Sequence, residues 1–147
     1  FSRPEATWRR LTPHALAFDG FRWHLRAWCH SRTSFRDFVV GRILSVHSQK
    51  PDEIDVSEDV GWATEVTLRI GPHPELKAGK RRAIELDYGM EDGCVEVTTR
   101  ACMVPYFQRL FRLTLDLAHP SPKVQQIVLL NAEDVEETRR GETAAVA

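Results

Sequence analysis

From Phe21 to His30 the chain alternates apolar side chains with cationic ones, a two-residue period that points to extended backbone. Neighbouring side chains of a strand leave on opposite sides, so Phe21, Trp23, Leu25, Ala27 and Cys29 share one face and Arg22, His24, Arg26, Trp28 and His30 the other. The first face reads as core, with Trp23 packed inside it. The second gathers two guanidinium groups, two imidazoles and an indole, a set suited to phosphates and to base stacking. Just upstream, Asp19 and Gly20 predict a two-residue hairpin turn, because both central positions of such a turn favour positive φ. Residues 13–19 form the partner strand and bring His14 toward the cationic face. Residues 35–40 and 43–47 give two further strand-like runs, flanked by Arg36 and Arg42, and four short strands in so few residues predict a small barrel.

Net charge over the 147 residues is −1, but it is unevenly spread: residues 1–50 carry nine Lys and Arg against three Asp and Glu, a balance of +6. Four of the six histidines fall in the same stretch. This localises anion binding to the first part of the chain. All but one of its basic residues are Arg, whose planar fork engages phosphate oxygens two at a time. An ion pair with Asp37 is the structural alternative for Arg26 and Arg36, and a solvated surface charge for Arg22 and Arg32.

Several function classes find no support. No apolar run approaches the roughly 18 to 20 residues needed to cross a bilayer, and no basic-then-apolar leader opens the chain, so a cytoplasmic protein without membrane contact is expected. Cys29, Cys94 and Cys102 are odd in number and form no CxxC pair, which predicts free thiols rather than disulfides or a structural zinc site. No carboxylate or thiolate spacing completes a metal site around the histidines. Cys29 and His30 are adjacent on a strand and diverge, so they do not form a nucleophile and base pair. Residues 87–93 lack the ligand spacing of a calcium loop. No metal, no cofactor and no catalytic residue is expected, and the chain is read as a non-enzyme.

A polar, acidic stretch over residues 48–59 reads as a connection, giving a first domain at 1–50, a linker at 51–61, a second domain at 62–132 and a fraying tail at 133–147. In the second domain a strand at 62–70 ends at Gly71 and Pro72, and a helix at 75–88 stops at Gly89. A strand at 94–100 follows Asp92 and Gly93, a helix starts at Pro105 with Phe107, Leu110 and Phe111 on one face, and a third strand covers 126–131. The alternation of strand and helix reads as a small α/β module.

The run from Phe18 to His30, followed by that from Phe35 to Ile43, resembles the WYL domain, with Trp23, His24 and Leu25 standing where the Trp-Tyr-Leu signature lies. His replaces the Tyr. The second part, with Trp62, Pro72, His73, Pro74, Asp87, Tyr88, Gly89, Met90, Arg100 and Tyr106, is similar to the WCX extension that follows WYL domains. The whole looks closest to transcriptional regulators attached to phage-defence islands. The resemblance implies an α+β chain: a Sm/SH3-like β-barrel that binds a nucleotide or single-stranded nucleic-acid effector, then a dimerising extension. It implies a homodimer whose operator DNA is read by an N-terminal winged helix-turn-helix absent from this chain. Carried over by residue, the effector site is His24 and Arg26 with His14, His30, Arg36 and Arg42. A constitutive RNA- or single-stranded-DNA-binding Sm-like barrel is the alternative, and a small hydrolase a third reading. On the strand pattern, Arg26→Ala should abolish ligand response without loss of stability, whereas Trp23→Ala should unfold the domain.

Overall fold

The computed structural model describes residues 6–48, 50, 52–113 and 121–145. The chain divides into two units, residues 1–59 and 60–147. Both are built on small antiparallel sheets, so the fold is α+β.

In the first unit, strands β1 (Leu11–Phe18), β2 (Trp23–Cys29) and β3 (Ser34–Val39) form an antiparallel meander with β2 in the centre. The hairpin is present, but its turn is centred one residue later than expected. Asp19 N–H donates to the Arg22 carbonyl, Gly20 takes φ 92°, and an Asp19 carboxylate oxygen accepts from the amides of Phe21 and Arg22. The aspartate thus works as a side-chain cap on the turn rather than as a positive-φ residue. Pro13 has no N–H to give the ladder, and the β1–β2 register shifts between Pro13 and Ala15, leaving His14 as the extra residue of a bulge.

Residues 43–47, expected as a fourth strand, are irregular; a 3-10 turn, Val40–Arg42, precedes them and leaves Leu44 and Val46 exposed. The described residues therefore form an open three-stranded sheet and not a closed barrel. The expected faces of β2 hold only in part: Ala27 and Cys29 of the expected core face are buried, but its other end is open and the opposite face is buried too. Trp23 is 54% exposed and Phe21 81%, so Trp23 is not a core residue. His24 and Arg26, read as an open ligand face, are buried. Among the described residues the buried apolar side chains in this unit are Ala27 and Cys29; the other buried ones are Asp19, His24, Arg26 and Asp59. The residues read as a linker are likewise structured: Asp55 caps the 3-10 turn Val56–Glu58, and Asp59 is 1% exposed.

The second unit has a conventional apolar core. Strand β4 (Glu65–Pro72) alternates, burying Val66, Leu68 and Ile70, and lies between β5 (Val95–Arg100) and β6 (Ile127–Leu129). It is preceded by a one-turn helix, α1 (Val60–Ala63), which takes the start of the expected strand. Helix α2 (Ala78–Asp87) ends before Gly89, whose φ of 58° is the left-handed value expected of a helix stop. Helix α3 (Val104–Leu110) has Pro105 in its first turn; Phe107 and Phe111 pack on the core, while Leu110 is half exposed. Although helices separate the strands, every pairing in this sheet is antiparallel, which corrects the α/β expectation. The expected tail is also corrected: α4 (Ala132–Ala145) is a helix whose Val135 enters the core. Glu133 and Asp134 in its first turn complement the helix dipole, and Glu136 meets Arg140 one turn on.

Candidate anion site around Arg26

Register places Ala15, Arg26 and Asp37 side by side on one face of the sheet, with Thr12, Trp28 and Phe35 next along the same face. The bulge delivers His14 to this face, where its ring meets Phe35 edge-on at 5.5 Å. The Arg26 fork is bound by two carboxylates. Its Nε donates to Asp59 Oδ2 at 2.8 Å and its Nη2 to Asp59 Oδ1 at 2.7 Å, a bidentate pair, while Nη1 donates to Asp37 Oδ1 at 3.2 Å. His14 Nε2 lies 2.9 Å from the same Asp59 Oδ2. Two elements of the sheet thus converge their donors on a single carboxylate, which is the contact set an anion of similar size would need.

Charges buried this deeply depend on their partners. Removing water from a carboxylate or guanidinium costs several kcal/mol, and short, aligned hydrogen bonds must offset it. The four polar groups do this for one another, with Asp59 accepting three of the contacts.

The other five expected residues are not all brought together with Arg26. His24 faces the same side as Arg26, but its Nε2 is held by Asp19 Oδ2 at 2.7 Å, closing the turn. Burial alone would push the Asp19 carboxyl up, but hydrogen bonds from His24 and from the amides of Arg22 and Phe21, with the His24 charge, outweigh it and lower the carboxyl from 3.8 to about 2. His30 lies beyond the strand end, 2.9 Å from Thr12 Oγ1 and 3.2 Å from Asp52 Oδ2. Arg36 pairs in register with Ala27, which puts it on the opposite face from Arg26; it is exposed and donates to Ser34 Oγ. Arg42 is exposed in the last turn of the 3-10 segment. The weighed ion pair with Asp37 is present for Arg26.

Two residues central to this arrangement were not singled out from the sequence as site residues. In the sequence Asp19 marks a turn, and its spacing of five from His24 is the signal for the pair. Asp59 lies 33 positions from Arg26 among other acids, and no local pattern marks it. Among the described residues no group of three or more His, Cys, Asp or Glu could hold a metal ion, and no helix is long and apolar enough to cross a membrane.

Two outcomes follow for stability. Arg26→Ala takes the guanidinium away from the buried Asp59 and the part-buried Asp37 and should cost about 3–5 kcal/mol, whereas Trp23→Ala, at a half-exposed site, should cost less; chemical denaturation of both variants checks this reversal of the strand-pattern expectation. Because the folded Asp19 carboxyl sits at about 2 and the unfolded one near 3.8, its contribution is full above pH 3.8 and is lost as pH falls through about 2. Asp19→Asn should be less stable than the parent at neutral pH, with the gap closing across that acid window in denaturation series.

Comparison with known proteins agrees with this division of the chain. Residues 1–48 match the WYL domain family, and residues 65–135 match the family described as BrxR transcriptional regulator, C-terminal dimerization domain, in the place of the expected WCX extension. The chain is 45% identical over 133 residues to the DNA-binding transcriptional repressor CapW of Stenotrophomonas maltophilia, an alignment covering 88% of this chain and 44% of that protein. CapW of Escherichia coli (strain KTE188) is 37% identical over 134 residues, and CapW of Pseudomonas aeruginosa 39% over 134; each alignment covers 91% of this chain and 45% of the relative. The chain thus spans less than half the length of these relatives. Among solved structures, the proteasome accessory factor B/C (PafBC) of Arthrobacter aurescens aligns over 97% of this chain and 23% of its own at 20% identity, with a TM-score of 0.32. The chain is a WYL domain followed by a C-terminal dimerization domain of the BrxR transcriptional regulator type.

Proposed function

We propose that this chain is the effector-sensing and dimerising part of a longer bacterial transcriptional repressor of a phage-defence locus. On this reading the first unit binds a phosphate-bearing effector, a nucleotide or a short single strand of nucleic acid, and the second unit holds two copies together. Operator DNA is contacted by a winged helix-turn-helix outside this chain, the protein works in the cytoplasm, and it catalyses no reaction. The Sm/SH3-like barrel belongs to the same proposal, with the three-stranded sheet supplying part of it.

The observation that carries this reading is the convergence of Arg26 and His14 on one carboxylate, because side chains that already cradle an anion are equipped to accept another. The Trp28 and Phe35 rings, 5.0 Å apart on the same face, supply an aromatic surface beside the cationic pair, as a nucleotide requires. Of the six candidate residues, Arg26 and His14 bind the anion. His24 and His30 orient the ends of the β1–β2 pair through Asp19 and Asp52. Arg42 contributes steering charge, and Arg36 on the far face drops out of the contact set. Effector binding then shifts the balance between two dimer states, and through it the affinity of the repressor for DNA.

The chain should bind a short 5′-phosphorylated oligothymidylate with an affinity that falls steeply between roughly 50 and 200 mM salt, as phosphate contacts release counterions. Fluorescence anisotropy checks this. Absence of binding at low salt would contradict the proposal, and binding that leaves the operator affinity of the longer repressor unchanged would favour a constitutive nucleic-acid binder.

A further inference from the structure

We infer that Asp59 is a built-in competitor for the effector: its carboxylate occupies the anion position on Arg26 and His14, and the effector's phosphate binds by displacing it. This rests on the anion-binding reading above and adds how the site is regulated.

The geometry supports the substitution of one anion for another. A carboxylate held bidentately by Nε and Nη2 at 2.8 and 2.7 Å presents two oxygens to the guanidinium fork, as a phosphate does. Asp59 is 1% exposed and the Arg26 side chain 9%, so an external phosphate reaches the fork only after Asp59 leaves it. The backbone around Asp59 is suited to leaving. The segment leading into it has no sheet partner, and its order is one short 3-10 turn, Val56–Glu58, held by the Asp55 side chain on Ser57 and by the amides of Glu58 and Asp59 on the carbonyls of Asp55 and Val56; helix α1 begins only at the next residue, Val60. Arg26, by contrast, is fixed on the central strand. The competitor therefore moves while its receptor stays.

Connectivity gives the displacement a consequence. Asp59 is the last residue of the first unit, and Val60 opens α1 of the second. An anion that frees Asp59 from Arg26 removes an anchor placed directly at the junction with the dimerization unit. The closed state also sets apparent affinity: while Asp59 holds the fork, only the open fraction of molecules binds, and the measured dissociation constant is raised by the inverse of that fraction.

The test uses the 147-residue chain and the 5′-phosphorylated oligothymidylate. Asp59→Asn removes the competing charge and should bind the probe about tenfold more tightly than the parent. Independently, in the unmodified chain, saturating probe should speed hydrogen exchange at the amides of Glu58 and Asp59. Equal affinities, with those amides unchanged or slowed while the probe binds, would overturn the inference and leave the anion site itself standing. If neither folded protein binds at low salt, the inference and the reading beneath it fall together. If Asp59→Asn does not fold, the exchange measurement on the unmodified chain decides.

Discussion

The first unit is organised around a guanidinium and a carboxylate brought together from residues 26 and 59 and withdrawn from water. Most small domains of this size close around aliphatic and aromatic side chains, and the second unit does so, with Leu68, Ile70, Val104 and Val135 at its centre. The first unit instead leaves Leu16, Phe18, Phe21 and Trp23 about half exposed or more and buries Asp19, His24, Arg26 and Asp59. Each of these charged or polar groups is stable there only while its partner is present, because an isolated buried charge carries its full desolvation penalty. The position of Asp59 against the sheet, the orientation of His14 and the closure of the β1–β2 turn all depend on such pairs.

Dependence of this kind connects structure with the proposed sensing role. A domain held by apolar packing alone offers a small anion nothing to exchange with, whereas one held by an arginine and a carboxylate can trade an internal anion for an external one at similar geometry. Bistability then needs no large rearrangement: the sheet keeps Arg26 in place, and a short segment with little regular structure carries the competing group. The second unit, which contains the BrxR-type dimerization domain, begins at the residue after Asp59.

Much of the local architecture was legible from residue patterns. The alternation over residues 21–29 located β2, Asp19 and Gly20 located the hairpin, and Gly89 and Pro105 marked a helix end and a helix start. What the patterns did not tell was that β2 buries residues on both faces, Ala27 and Cys29 on one and His24 and Arg26 on the other, while Trp23 stays open. Two-residue alternation divides side chains into two sets without ranking them, and the usual preference for burying Trp over Arg pointed the wrong way because it takes no account of partners. Those partners come from a turn residue, Asp19, and from a single acid in a run of acids, Asp59, whose contact spans 33 positions. The family resemblance named Arg26 and His14 as site residues but not the carboxylate between them. In the second unit, α4 was hidden by its charged composition, although the Glu136 and Arg140 spacing and the apolar Val135 were available to mark it.

The central claim is that Arg26 and Asp59 act on each other and that the first unit depends on the pair. A double-mutant cycle in chemical denaturation measures this directly, using Arg26→Met, Asp59→Leu and the combination. If the pair is as described, each single substitution strands a buried charge and destabilises by about 3 kcal/mol or more, while the double variant, with neither charge left at the pair, recovers much of that loss. Two single effects that add to within about 0.5 kcal/mol in the double variant would show that the residues do not interact, and would contradict the account.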